Sequence, residues 1–220
     1  GIVDLFKQSD LDIFGPTQAA ARSETSKLFA KHLMLQEGIL TAPFRAFCLY
    51  EEALNHIHTR PYPLVVKADG LASGKGSYVC ADKAEAEQAL DALMVRKIYG
   101  QAGRIAIIED FLEGNELSIH TLCNGLHSAP FIAVRDSKRL KDGDKGPNTG
   151  GVGSYTPVSR FTRPQMLHVE QLIINPVLQA FVKRETPFIG CLYPGLMQTV
   201  NGPYVVEFNV RFGDPEAQVL

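Results

Sequence analysis

In the run YVVEFNVRFGDPE, residues 204–216, Glu207, Asn209 and Arg211 take every second position of a stretch otherwise built from Val and Phe. Successive strand side chains point to opposite faces. The spacing therefore puts a carboxylate, an amide and a guanidinium on one face, and Val206, Phe208, Val210 and Phe212 on the other. Carboxylate and amide oxygens are hard donors of the kind magnesium prefers, and magnesium takes only one or two protein groups when phosphates supply the rest. A guanidinium beside them is shaped for bidentate capture of a carboxylate or phosphate. The trio describes a metal–nucleotide site on a rigid sheet; an exposed strand with one ion pair is the plainer reading of the same residues. Asp214 and Glu216 come next, in a turn opened by Gly213, as solvated turn residues or as substrate contacts.

A second group centres on VVKADGLASGKG, residues 65–76. It is not a Walker motif, because the spacing from Gly70 to Gly74 is too short and Lys75 is followed by Gly76 rather than Ser or Thr. Its glycines still let several backbone N–H groups converge on phosphate oxygens. Lys67 ends an apolar run, where a cation is costly without an anionic partner. A tight β-turn with a solvated lysine is the alternative. In IIEDFLEGNE, residues 107–116, a strand stops at Glu109, Asp110, Phe111 and Leu112, and main-chain groups freed there could bond an adenine; Glu113 and Glu116 read equally as a solvated turn. The loop GPNTGGVG, residues 146–153, offers further backbone amides. With Arg135, Lys138, Arg139, Lys141 and Lys145 upstream, it could grip a phosphorylated substrate or form ordinary surface.

These groups need elements to hold them. The pattern predicts an amphipathic helix over 23–37 closed by Gly38, strands at 41–49 and 62–68, a helix at 50–59, and a return to helix over 83–95. Strands are expected again at 104–112 and 115–123. Asn124-Gly125 and Asn201-Gly202 are two-residue hairpin signals, and one helix is predicted around 165–182. The result is a mixed α+β chain with antiparallel sheets in its second half. The polar segment 135–157 is long for a loop in a compact domain, which marks it as functional or disordered.

Composition narrows the partners. The chain has 220 residues, 45% hydrophobic and 21% charged, with a net charge of −2. No global charge advertises nucleic acid or an anionic membrane, so any anion site is local. No apolar run reaches membrane-span length and the first residues do not form a signal peptide, which makes the cytosol the default location. Cys48, Cys80, Cys123 and Cys191 lack metal-ligand spacing and are expected to be buried, reduced thiols. The six histidines are scattered and receive no catalytic role. The absence of Met at the start and the abrupt end at Leu220 suggest a piece of a longer protein, of unassigned oligomeric state with a monomer compatible.

The runs GPT (15–17), SK (26–27), VVKADGLASGKG, IIEDFLEGNELS, KGPNTGGVGSYTP and GLMQTVNGPYVVEFNVRFGDPEAQ occur in an order and spacing that resembles the phosphoribosylamine–glycine ligase family, also called glycinamide ribonucleotide synthetases, of the ATP-grasp superfamily. The resemblance covers essentially the whole chain but only the central part of the family's enzyme, without its N-terminal substrate-binding and C-terminal domains. It implies an ATP-grasp fold whose two lobes enclose the nucleotide, with residues 1–22 a connector and 23–220 the ATP-grasp domain, the small lobe at about 41–106. It implies joining of glycine to 5-phosphoribosylamine in purine biosynthesis, splitting ATP to ADP and phosphate through glycyl phosphate.

By position, Lys27 and Lys67 would then contact ATP phosphates, Gly70, Ser73, Gly74, Lys75 and Gly76 would belong to a mobile phosphate lid, and Glu109, Asp110, Phe111 and Leu112 would form the adenine hinge. Glu116 would lie near the ribose. Glu207 and Asn209 would hold magnesium or manganese. Arg211 and Asp214 would lie near the reacting groups, with Asn148, Thr149, Gly150 and Gly151 facing substrate. The chain departs from the family pattern at Ser73, Ser137, Val152 and Val210. An isolated nucleotide-binding module and another ATP-grasp carboxylate–amine ligase are the alternatives. Activation of a carboxylate by phosphorylation needs positioning and charge neutralisation rather than a nucleophilic side chain. No Ser/His/Asp or Cys/His arrangement stands out in the sequence.

Overall fold

The computed structural model describes residues 1–137, 139–143, 145–159 and 161–220, and at 139, 145, 147 and 148 the backbone alone. The chain opens with α1 (Ile2–Gln8), α2 (Arg22–Thr25) and α3 (Lys27–Gln36). The single helix expected over 23–37 is broken at Ser26, whose backbone is extended and whose Oγ accepts from the Phe29 amide. Side-chain capping of this kind satisfies one of the orphan donors at a helix start.

A first sheet is formed by β1 (Phe44–Phe47), β2 (Leu64–Ala68), β3 (Ser77–Cys80) and β4 (Ala106–Asp110) in the antiparallel order β1-β4-β2-β3. α4 (Tyr50–His58) and α5 (Lys83–Leu90) accompany it. Ile57, Leu64, Val66, Leu90, Leu93 and Ile108 are among the buried residues that join sheet and helices in one core. The sheet extends through Asp110, so β4 belongs wholly to this unit rather than marking its edge at 106.

The second unit contains β5 (Asn115–Ser118), β6 (Thr121–Asn124), β7 (Ser128–Pro130), β8 (Arg135–Asp136), β9 (Arg139–Lys141), β10 (Lys145–Asn148) and β11 (Ser154–Tyr155). They are followed by α6 (Arg163–Val169), α7 (Asn175–Lys183), β12 (Ile189–Thr199) and β13 (Gly202–Asn209). The eleven-residue β12 is the spine: β13 pairs along one side, and β5 and β6 share the other. The strand expected over 115–123 is therefore two strands. β5 pairs with Gly195–Gln198 and β6 with Ile189–Leu192, and the break at Ile119 and His120 falls opposite Pro194 of β12. Proline has no N–H to give to a ladder. Segment 135–157, expected as a long loop, forms the ladders β9–β10 and β8–β11.

The two hairpin turns are each displaced by one residue from their Asn-Gly signals. Gly125 and Leu126 span the first, with Asn124 Oδ1 accepting from the His127 amide, while Val200 and Asn201 span the second before Gly202 opens β13. α6 and α7 form the expected single helix, joined by a wide turn at Glu170–Ile174 just before Pro176. Such a turn accommodates the missing proline donor.

Phe181, Phe188, Ile173, Leu192 and Val205 pack with Leu33 and Met34 of α3 in the larger core. α3 thus belongs with the second sheet, and Ala20 is buried among its core residues. Of the thiols, Cys48 is exposed, contrary to expectation, because it lies in the turn past β1; all four cysteines are free. Among the described residues no helix is long and apolar enough to cross a membrane.

Candidate functional site

The face-sharing expected for β13 is altered by a bulge. Glu207 pairs with Gly195 and Val205 with Leu196, so Val206 is an extra residue without an opposite number. A bulge adds one residue on one strand and re-aims the side chains beyond it. Val205 and Phe208 consequently face the core, whereas Val206 joins Glu207 and Asn209 on a cleft of about 510 Å³ between the two sheets. Phe212 leaves the core face as well: it is 44% exposed and stacks on His120 at 6.0 Å.

On the small-sheet wall, Lys67 of β2 and Glu109 of β4 are both almost fully buried, and Lys67 Nζ donates to Glu109 Oε2 at 2.8 Å and to the Val206 carbonyl at 3.2 Å. The anionic partner that Lys67 requires is thus supplied from within the chain. Glu109, expected at a strand end with its neighbours, is not a solvated turn residue. Its Oε1 lies 3.0 Å from Nζ of Lys31, which is buried in α3 and also donates to Thr41 Oγ1 at 2.7 Å. Burial lowers the Lys31 pKa to about 8 against the opposing pull of Glu109. One carboxylate thus sits between two ammonium groups, leaving an excess positive charge beneath the cleft in a poorly solvated place.

Asp69, two residues past Lys67, ties this wall to the other lobe. Its Oδ1 accepts from the Leu28 amide at 2.7 Å and from Ser26 Oγ at 3.0 Å, and its carbonyl accepts from the Lys27 amide. The glycine segment leaves from that anchor. Ser73 and Gly74 have φ of 50° and 73°, and the Lys75 amide donates to the Ala72 carbonyl, which closes a tight turn. Two successive positive φ values define a turn of the I′ kind. Ser73, Gly74 and Gly76 line the cleft with Lys27. Gly70 and Lys75 do not: Gly70 packs on Ala102, where a Cβ would be 2.8 Å from backbone, and Lys75 is exposed. A tight turn and a cleft-lining loop, read as alternatives in the sequence, are here the same feature.

The β4 ladder ends at Asp110, whose carboxylate pairs with Arg60. Phe111 and Leu112 run on along the cleft outside any ladder, and Glu116 of β5 lines it further on. The crossing between lobes is made at Gly114, where a Cβ would overlap the Gln198 carbonyl.

On the large-sheet wall, Arg211 is held by a residue that sequence reasoning missed. Glu24 of α2 accepts from Arg211 Nε at 3.1 Å and from the Val210 amide at 2.8 Å, while Arg211 Nη2 donates to Asn209 Oδ1 at 3.2 Å. Asp214 reaches the cleft and accepts from Gln218 Nε2 at 3.0 Å. Thr149 and Gly150 line the cleft opposite the glycine turn. Gly151 does not; it is tucked against Pro215, at a φ of 125° where a Cβ would overlap the proline ring. Lys138 lies outside the described residues, as do the side chains of Asn148, Arg139 and Lys145. Arg135 and Asp136, the two residues of β8, line the cleft as well.

Comparison with known proteins identifies relatives of the chain and of its fold. Residues 25–217 match the family model described as phosphoribosylglycinamide synthetase, ATP-grasp (A) domain. The chain is 44% identical over 220 residues to a phosphoribosylamine–glycine ligase of Halalkalibacterium halodurans, covering 100% of this chain and 51% of that protein. A crystal structure of phosphoribosylamine–glycine ligase from Thermotoga maritima superposes with a TM-score of 0.85 at 41% identity, covering 93% of this chain and 52% of the other. A biotin carboxylase from Campylobacter jejuni, solved with a β,γ-ATP complex, shares the fold at 15% identity with a TM-score of 0.77, covering 98% of this chain and 46% of its own. The chain spans about half the length of the curated ligases it matches.

Proposed function

Because this chain belongs to the phosphoribosylglycinamide synthetase ATP-grasp (A) domain family, we propose that it is the nucleotide-binding and phosphoryl-transfer part of an ATP-dependent ligase joining glycine to 5-phosphoribosylamine. The products would be glycinamide ribonucleotide, ADP and phosphate, by way of glycyl phosphate. The observation that carries the reading is the cleft itself, with excess buried positive charge on one wall and oxygen donors with a guanidinium on the other.

Each wall has a distinct part. Lys67 and Lys27, with the amides of the turn at 73–76, would cradle the triphosphate; Phe111 and Leu112 would offer main-chain groups to adenine, with Glu116 near the ribose. Glu207 and Asn209 suit a magnesium or manganese ion, since both offer oxygens from one strand to one cleft. An amide oxygen has two lone pairs, so the Arg211 bond to Asn209 is compatible with a cation there. A bound cation would neutralise charge developing on the transferred phosphoryl group. Arg211, braced by Glu24, would orient the reacting carboxylate, and Thr149, Gly150 and Asp214 would face substrate. A carboxylate attacked only after phosphorylation requires this positioning and no nucleophilic side chain.

Calorimetry with magnesium and ATP on this chain tests the nucleotide site: saturable binding dependent on magnesium supports it, and no binding overturns it. In the longer enzyme, phosphate release requiring both glycine and 5-phosphoribosylamine supports the assigned substrates; release with a different amine or acid points to another carboxylate–amine ligase. The chain's span of about half its relatives favours one further reading, a binding module that needs the remainder to turn over. Ligation by the isolated chain would refute it.

A further inference from the structure

His120 lies at the break between β5 and β6, is fully buried, and accepts from the Gly213 amide through Nε2 at 3.0 Å. Gly213 stands between Phe212 and Asp214, in the segment that carries Arg211 and Asp214 into the cleft. We propose that neutral His120 is a positioning residue that, through this one bond, sets where Arg211 and Asp214 stand in the cleft; the proposal rests on the functional reading of those two residues given above.

Three observations support it. The ring packs against two aromatic side chains, its centroid 4.1 Å from that of Tyr193 in a tilted contact and 6.0 Å from that of Phe212 in a stacked one. Gly213 packs against the buried Glu216 carboxylate so closely that a Cβ there would overlap it, and that carboxylate in turn accepts from the Tyr193 hydroxyl. An imidazole whose Nε2 accepts must carry its proton on Nδ1, and Nδ1 is buried with no protein partner among the described residues.

Protonation would turn Nε2 from acceptor into donor, facing the Gly213 N–H, and so would break the link. The charged and titratable groups facing His120 are Tyr193 from β12 and Arg211 and Glu216 from segment 211–216. Burial is the main cause that lowers the His120 pKa to about 4; Glu216 opposes it and Arg211 adds to it. The link is therefore intact at neutral pH.

Nitrogen-edited NMR of the wild-type chain should show His120 as the Nδ1–H tautomer, remaining neutral until about pH 4. In His120→Leu the Gly213 amide should exchange with solvent about tenfold faster, and in the longer enzyme the KM for glycine should rise by a few-fold with the KM for ATP little changed, both effects recovering in His120→Gln, whose side-chain oxygen can accept the same bond. The Gly213 amide resonance of the wild type should shift near the pH where the ring titrates, and the leucine variant should lack that step. An Nε2–H tautomer in the wild type, or unchanged Gly213 exchange or an unchanged glycine KM in His120→Leu, would overturn the proposal. Absence of nucleotide binding in the wild type would instead sink the functional reading and leave the tautomer and exchange results to decide this one.

Discussion

The two walls of the cleft handle charge in opposite ways. On the small-sheet wall, Lys31, Glu109 and Lys67 are sealed among strands and a helix, each less than 5% exposed, and answer one another directly. On the large-sheet wall, Arg211 is 59% exposed in its side chain and sits at the end of β13, where the chain leaves the sheet. Buried ions depend on each other for stability, because removing one leaves another without compensation in a low-dielectric place. Half-solvated groups keep water as a substitute partner, so their loss costs chemistry more than folding. The charges of the first wall are thus interdependent and those of the second partly solvated, and substitutions should separate the two.

The largest effect is expected at Glu109. Glu109→Ala strands two buried ammonium groups and should destabilise the fold by about 3–5 kcal/mol in urea unfolding, the range for breaking a buried pair from one side. A loss under about 1 kcal/mol would mean that the wall is wetter than its burial indicates. Acid should act next, through His120. Its folded pKa of about 4 lies below the ordinary 6.5, so the unfolded chain takes up the proton first. Stability is then complete above pH 6.5 and falls as pH drops from 6.5 towards 4, by on the order of 3 kcal/mol for this group. His120→Leu should flatten that part of the profile, as read by thermal unfolding across pH.

Glu207→Ala tests the other wall. It should leave unfolding within about 0.5 kcal/mol of wild type yet lower turnover of the longer enzyme roughly 10²-fold, a usual loss for one charge-stabilising element. Near-normal turnover at saturating magnesium would remove Glu207 from the site. The smallest change is expected for Lys31→Met, which leaves Glu109 and Lys67 as a balanced pair and keeps the apolar stem; stability should move by no more than about 1 kcal/mol. A large loss there would show that Glu109 depends on both lysines.

Much of the second wall was legible in the residues. Alternation in β13 marked Glu207, Asn209 and Arg211, and the hairpin signals lay within one residue of the observed turns. What failed was whatever depends on a partner strand. The bulge at Val206 and the break at Ile119 and His120 arise from pairing with β12, whose Pro194 cannot donate, and neither β5 nor β13 carries that information alone. Lys31, within the helix predicted over 23–37 but not singled out there, turns inward to meet Glu109 and Thr41, which come from other segments.

By its own order, the sequence determined the strands and helices, the polar face of β13, the glycine turn and the kinship of the chain, because periodicity, turn chemistry and motif spacing are local properties of the chain. Tertiary structure alone decided which charges are buried together and which residues brace the site. Glu24 meets Arg211 across 187 positions and Glu109 gathers two lysines from separate elements. Such pairings are set by the energetic cost of leaving a charge without a partner once the layers close, and nothing in a single segment records where that partner stands.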